Sequence, residues 1–267
     1  MLLLFTAFVG VLALPFIAAF QPSLTKPGAA SIALIILSGM LYMGAMLLYL
    51  QALQSEEASV VAPFFQASPL FGYVLAYLVL GETLSVRQMT GGALIVLGAL
   101  MVSVRLDRGM QAFKARLAAL MLACGFVLAL SALIFKIFAI EVEFWTTTFW
   151  MFVGEGIFGA ALLLIPVYRR EFAAMLRVNT GALLTINGSN ELINLGGGLG
   201  NRYALMFAPL SIVQAIGSTT TLFVFLFGVI LSVVCPRLGR ENLSGRELTQ
   251  KAIAAVLVAI GVALVTR

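Results

Sequence analysis

The chain has 267 residues, of which 62% are hydrophobic and only 10% charged, with a mean hydropathy of +1.09. This lies far outside the range of a soluble domain and marks an integral membrane protein. The net charge of +5 does not indicate nucleic acid, because Lys and Arg fall almost entirely in short segments between apolar runs and form no basic stripe. Histidine is absent, which removes the usual general base, the usual triad partner and the commonest metal ligand.

A spanning helix needs about 20 mostly apolar residues. Nine segments qualify, running approximately Leu2 to Phe20, Ala30 to Ala52, Ala58 to Leu80, Met89 to Val104, Leu117 to Ile137, Trp145 to Val167, Gly181 to Leu205, Ser211 to Val234 and Ala252 to Val265. The loops are short and leave no room for a soluble domain. The first segment is read as a retained helix, since Met1-Leu2-Leu3 carries no positive n-region of the kind a signal peptide has. With nine spans, Arg105, Arg108, Lys114, Arg116, Arg169, Arg170, Arg177, Arg237, Arg240, Arg246 and Lys251 share one side, eleven of the sixteen basic residues. That side is expected to be cytoplasmic, which puts the N-terminus inside and the C-terminus outside.

In the third span, Pro63 and Pro69 each remove an intrahelical hydrogen bond, which a membrane tolerates only where protein or a wet cavity re-satisfies the backbone. A helix broken there is a candidate gate. Ser59, Gln66 and Tyr73 recur every seven residues and share a face, either lining a cavity or bonding to a neighbouring helix. Gly81 ends this helix, and Glu82 lies near the start of the next, where its charge suits the helix dipole. Gly91, Gly92 and Gly98 suit close helix contact, and no phosphate-binding sequence accompanies them. Cys124, in the fifth span, and Cys235, at the edge of the eighth, lack ligand spacing and read as buried thiols.

The sixth span carries Glu155 between Gly154 and Gly156, with Thr148, Met151 and Phe152 on the same side; the glycines would let a helix or a ligand approach closely. In the seventh span Asn187, Asn190, Glu191, Asn194 and Gly198 fall at offsets of three, four, seven and eleven, one helical face. Polar groups at that depth need water, ligand or a polar partner, so the face reads either as a wet substrate wall or as a ladder bonding two helices. Gly196 to Gly198 suggest a bend or an unwound stretch.

Neither glutamate has an evident basic partner: Arg202 lies eleven residues beyond Glu191, roughly 16 Å along a helix, and Lys136 sits near a helix end. Left unpaired at bilayer depth, both carboxyls would favour the protonated form. That is the chemistry of a proton-coupling site, or of a site for a cationic or amine-bearing substrate once ionised. The alternative is a neutral, hydrogen-bonded glutamic acid with no part in transport. In the eighth span Ser211, Ser218 and Phe225 answer to Ser59, Gln66 and Tyr73 of the third, with Gln214 a turn away.

That correspondence extends to a repeat. Without gaps, Ala52-Leu53 aligns with Ala204-Leu205, Ser59 with Ser211, Val61 with Val213, and Leu70-Phe71 with Leu222-Phe223. Residues Ala58 to Pro63, Ser68-Pro69-Leu70-Phe71, Leu80-Gly81-Glu82-Thr83-Leu84, Gln88, Gly91-Gly92 and Gly98 together resemble the EamA domain of the drug/metabolite transporter superfamily. The match spans about fifty residues; in the second half only Ala208-Pro209-Leu210-Ser211 survives of it.

The resemblance implies ten helices in two inverted five-helix repeats around a central substrate cavity. Nine spans then mean an all-α polytopic bundle in a 4+5 arrangement: residues 1–106 as a first repeat lacking its opening helix, and 115–267 as the second. Relatives of the usual length would place the Arg105 to Arg116 loop outside, against the charge count. The implied activity is secondary active export of a small polar or amphiphilic metabolite, such as an amino acid, across a bacterial inner (plasma) membrane. The cavity is expected between the third, sixth, seventh and eighth spans. Glu191 and Glu155 would exchange a proton or an ammonium group there, Asn187, Asn190 and Asn194 would bond the substrate, and Gln66, Tyr73, Gln214 and Ser218 would form the facing wall. The expected partners are the bilayer, the substrate and a coupling proton, with homo-oligomers left open and no nucleic acid, metal or cofactor. A non-transporting membrane scaffold or sensor is the alternative, and an intramembrane enzyme built on the two carboxylates a weaker one.

Overall fold

The structure, a computed structural model, describes residues 2–55, 68–103, 115–178, 180–220, 222–223, 226–227, 230 and 245–266. Ten α-helices occupy them: α1 (Leu2–Phe20), α2 (Ala29–Ser55), α3 (Ser68–Leu80), α4 (Val86–Ser103), α5 (Ala115–Glu141), α6 (Phe144–Leu164), α7 (Pro166–Val178), α8 (Thr180–Ala204), α9 (Leu210–Gly217) and α10 (Gly245–Thr266). No strand occurs among the described residues, and the all-α reading holds. Leu3–Phe20, Ala29–Gln54, Ala119–Glu141 and Phe144–Leu164 are long and apolar enough to cross a membrane. The addition is α7, in a segment read from sequence as a loop. At 13 residues it is about 20 Å long, too short to span, and Arg169, Arg170 and Glu171 share it with apolar positions at helical spacing.

Two compact units form, Met1–Leu48 with Leu130–Phe207, and Tyr49–Ala129 with Ala208–Arg267. Their boundaries fall inside α2, inside α5 and between Phe207 and Ala208, so each unit draws chain from both halves of the sequence. In the first unit α2 and α6 cross backbone to backbone. A Cβ on Gly39 would run into the Met151 carbonyl, and one on Gly154 into the Ile36 carbonyl, so only glycine permits this approach. Ser131 Oγ donates to the Ser38 carbonyl at 2.8 Å and ties α5 to α2. The start of α6 is fixed by Glu143, whose carboxylate accepts from the Trp145 and Thr146 amides at 2.9 and 2.8 Å and from Gln21 Nε2 at 2.7 Å, an N-cap that also suits the helix dipole.

In the second unit α4 and α10 meet through glycines in the same way, Gly91 against the Gly261 carbonyl and Gly98 against the Ala254 carbonyl. Ile95, Ile212, Val258 and Val265 form a buried cluster there. Gly81 takes φ +64, and the Glu82 amide donates back to the Ala76 carbonyl at 3.2 Å, a left-handed glycine closing α3. Glu82 does not start the next helix. A capping box does: the Ser85 amide donates to Gln88 Oε1 at 3.0 Å, and the Gln88 amide donates to Ser85 Oγ at 3.2 Å. Glu82 instead accepts from the Leu210 amide at 3.0 Å, capping α9, whose own N-cap, Pro209, makes no side-chain bond.

Candidate functional site

Four helices of the first unit line a small cavity that receives several charged and polar side chains. Its wall takes Thr6, Val9 and Gly10 from α1, Tyr42 from α2, Phe152 and Glu155 from α6, and Glu191, Asn194, Leu195, Gly198 and Arg202 from α8. The α8 residues fall at offsets of three, four, seven and eleven from Glu191, so a single face of an uninterrupted helix supplies them. The helix continues through Gly196 to Gly198 without an unwound stretch. The cavity's volume is about 30 Å³, room for a water molecule or two.

Glu155 and Glu191 share this space, each only 2% exposed. Glu191 is held by neutral donors: Thr6 Oγ1 donates to its Oε1 at 3.0 Å, and Asn194 Nδ2 to its Oε2 at 3.3 Å. Glu155 is held by a cation. Arg202 donates from one terminal nitrogen to Glu155 Oε1 at 2.6 Å, a charge-assisted bond. This corrects the expectation of an unpaired Glu155. The distance along α8 separates Arg202 from Glu191, but its side chain reaches across to α6. The guanidinium also lies 5.0, 5.6 and 5.9 Å from the ring centroids of Phe152, Tyr42 and Phe135, within cation–π range of all three.

The glycines flanking Glu155 receive helices and not a ligand. Gly154 takes the α2 backbone, and a Cβ on Gly156 would meet Val11 of α1. Gly10 lies against the carboxylate itself, where an added Cβ would stand 3.4 Å from Glu155 Oε2.

Of the residues singled out from sequence, Glu155, Glu191 and Asn194 come together here. Asn190 is exposed and Asn187 half-buried, and neither lines the cavity. Tyr73, Gln214 and Ser218 belong to the other unit, where a side chain on Gly72 would collide with the Gln214 amide. Pro69 is buried beside Ser68 at the start of the described part of α3. Pro63 and Gln66, with Ser59 and Cys235, lie outside the described residues. The cavity therefore takes its wall from the first, second, sixth and seventh spans, where the third and eighth had been expected beside the sixth and seventh. Thr6, Tyr42 and the cationic role of Arg202 were missed. The signal for the first two was available, since each is an isolated polar group within an apolar run. Among the described residues no cluster of His, Cys, Asp and Glu forms a metal site.

Residues 1–104 match the EamA-like transporter family, a family of transporters and not of enzymes. This segment supplies α1 and α2 of the cavity wall, and the resemblance read from residues 58–98 is borne out. No curated protein matches the chain. Among the solved structures that match is one described only as the crystal structure of a protein. It is 16% identical, with a TM-score of 0.65, and the alignment covers 99% of this chain and 85% of that one. The likeness shows a fold shared with that structure over nearly the whole chain. With its apolar spans, the chain is a multi-pass integral membrane protein.

Proposed function

We propose that the chain is a secondary active transporter that exports a small polar or amine-bearing metabolite by alternating access through the Glu155–Glu191 cavity. The observation that carries this reading is the meeting of two buried carboxylates in one polar space, next to helices of an EamA-like segment. Carboxylates at this depth are maintained where they serve a substrate, an ion or a proton. Glu191 exchanges a proton for the substrate, because its bonding partners are neutral donors that accommodate either protonation state. Glu155 anchors Arg202 and sets the electrostatic background. Residues 1–106 and 115–267 act as two inverted repeats of a bacterial inner-membrane protein, with Pro63 and Pro69 softening the third span as a gate.

A screen of amino acids and amines for thermal stabilisation of the purified protein would identify the ligand. Its uptake into proteoliposomes under an imposed pH gradient then tests the mechanism. Wild-type flux should follow the gradient, and Glu191→Gln should lose that dependence. Unchanged, pH-independent flux through Glu191→Gln would defeat the proposal. The second reading, a non-transporting scaffold, is favoured by the small cavity volume and predicts no stabilising ligand.

A further inference from the structure

We propose that this cavity recognises a small organic cation of net charge +1, bearing a guanidinium or alkylammonium group, and that Arg202 occupies the cation position as the chain's own stand-in. The inference rests on the transport reading and narrows its substrate class. Three observations lead to it.

The first is the composition of the wall around the guanidinium. A carboxylate at 2.6 Å and three aromatic rings within 6 Å are the elements that bind organic cations from solution. The second is charge. When both carboxylates are ionised, the single guanidinium leaves one negative charge over, so one monovalent cation brings the cavity to neutrality. Among the described residues Glu191 accepts from neutral donors and pairs with no cation, and Glu155 bonds Arg202 through Oε1, where a forked pair would use both oxygens. Glu155 Oε2, beside Gly10, therefore remains for an incoming cation once Arg202 has moved.

The third is space. About 30 Å³ holds water but not an organic cation, so the ligand enters by moving Arg202 out of the ring cluster. Arg202 can leave. Its side chain is 12% exposed, against 3% for Glu155, and it stands in the last turn of α8. The carbonyl end of that helix offers a displaced guanidinium a second favourable position.

The test is equilibrium binding by calorimetry, without a gradient, using methylguanidinium as the cation probe and acetate as the anion probe. Wild-type protein should bind methylguanidinium and not acetate. Arg202→Ala should bind methylguanidinium about tenfold more tightly, the factor expected if the site is open about a tenth of the time in the wild type. Glu155→Gln should abolish binding. Acetate binding to wild type would make Arg202 an anion site and overturn the inference. So would methylguanidinium binding to Arg202→Ala alone, which would make Arg202 a plain structural counter-ion. Should Arg202→Ala fail to fold, the wild-type titrations still decide. A protein that transports but prefers acetate loses only this inference, and one that binds methylguanidinium but moves nothing loses only the transport reading.

Discussion

Replacing Arg202 by Gln leaves the Glu155 carboxylate, 3% exposed, without its counter-charge. Two unit charges about 4 Å apart attract by about 4 kcal/mol at the effective dielectric constant that suits protein sites. Solvent screening removes little of this, since both side chains are largely covered. Removing one partner of a buried pair costs about 3 to 5 kcal/mol, because the other charge stays behind. Losing the cation–π contacts with Tyr42, Phe135 and Phe152 adds to that. Glu155→Gln should also destabilise, by stranding the guanidinium. The double variant, with two neutral amides, should recover about 2 to 3 kcal/mol relative to the sum of the single losses. Unfolding in mixed micelles, titrated with a denaturing detergent, measures all four corners of the cycle. Single effects that add to within about 0.5 kcal/mol would show that the two residues do not act as a pair.

Thr6→Val removes a hydroxyl donor from buried Glu191 and should cost about 1 to 3 kcal/mol in the same unfolding assay. An unchanged midpoint would contradict the bond. Gly39→Ala places a methyl group against the Met151 carbonyl and should destabilise by about 1 to 3 kcal/mol through overpacking, whereas Gly92→Ala, where a Cβ meets open space, should not destabilise. Equal behaviour of the two would remove the argument for a tight crossing of α2 and α6. Glu82→Ala strips the cap from α9 and should cost about 1 kcal/mol; hydrogen exchange at the Leu210 amide would rise, and unaltered exchange there would speak against the cap.

The spans were legible because bilayer thickness forces length and apolarity onto the sequence, and each of the nine segments falls at least in part on a described helix. Helix α7 was not legible by that rule, since a short basic amphipathic helix resembles a loop to a test that counts apolar residues. Glu155, Glu191 and Asn194 were found because charge and amide groups at depth demand a reason. Their partners were not found. The bonds from Arg202 to Glu155 and from Thr6 to Glu191 span 47 and 185 residues and depend on how helices pack, which helical periodicity does not specify. The same holds for Glu82, which caps a helix 128 residues away. The Gly196 to Gly198 run did not unwind for a different reason: glycine permits a break without requiring one, and α8 stays helical through it.

The central claim is that substrate and proton compete at Glu191. Proton release on ligand binding, followed in weakly buffered solution with the ligand that stabilises the purified protein, tests this most directly. By linkage, a group that gives up its proton to admit substrate releases about one proton per ligand bound, at pH values where the free site is protonated. The account predicts that release from wild-type protein and its loss in Glu191→Gln. Binding without release, or release undiminished in Glu191→Gln, would contradict it.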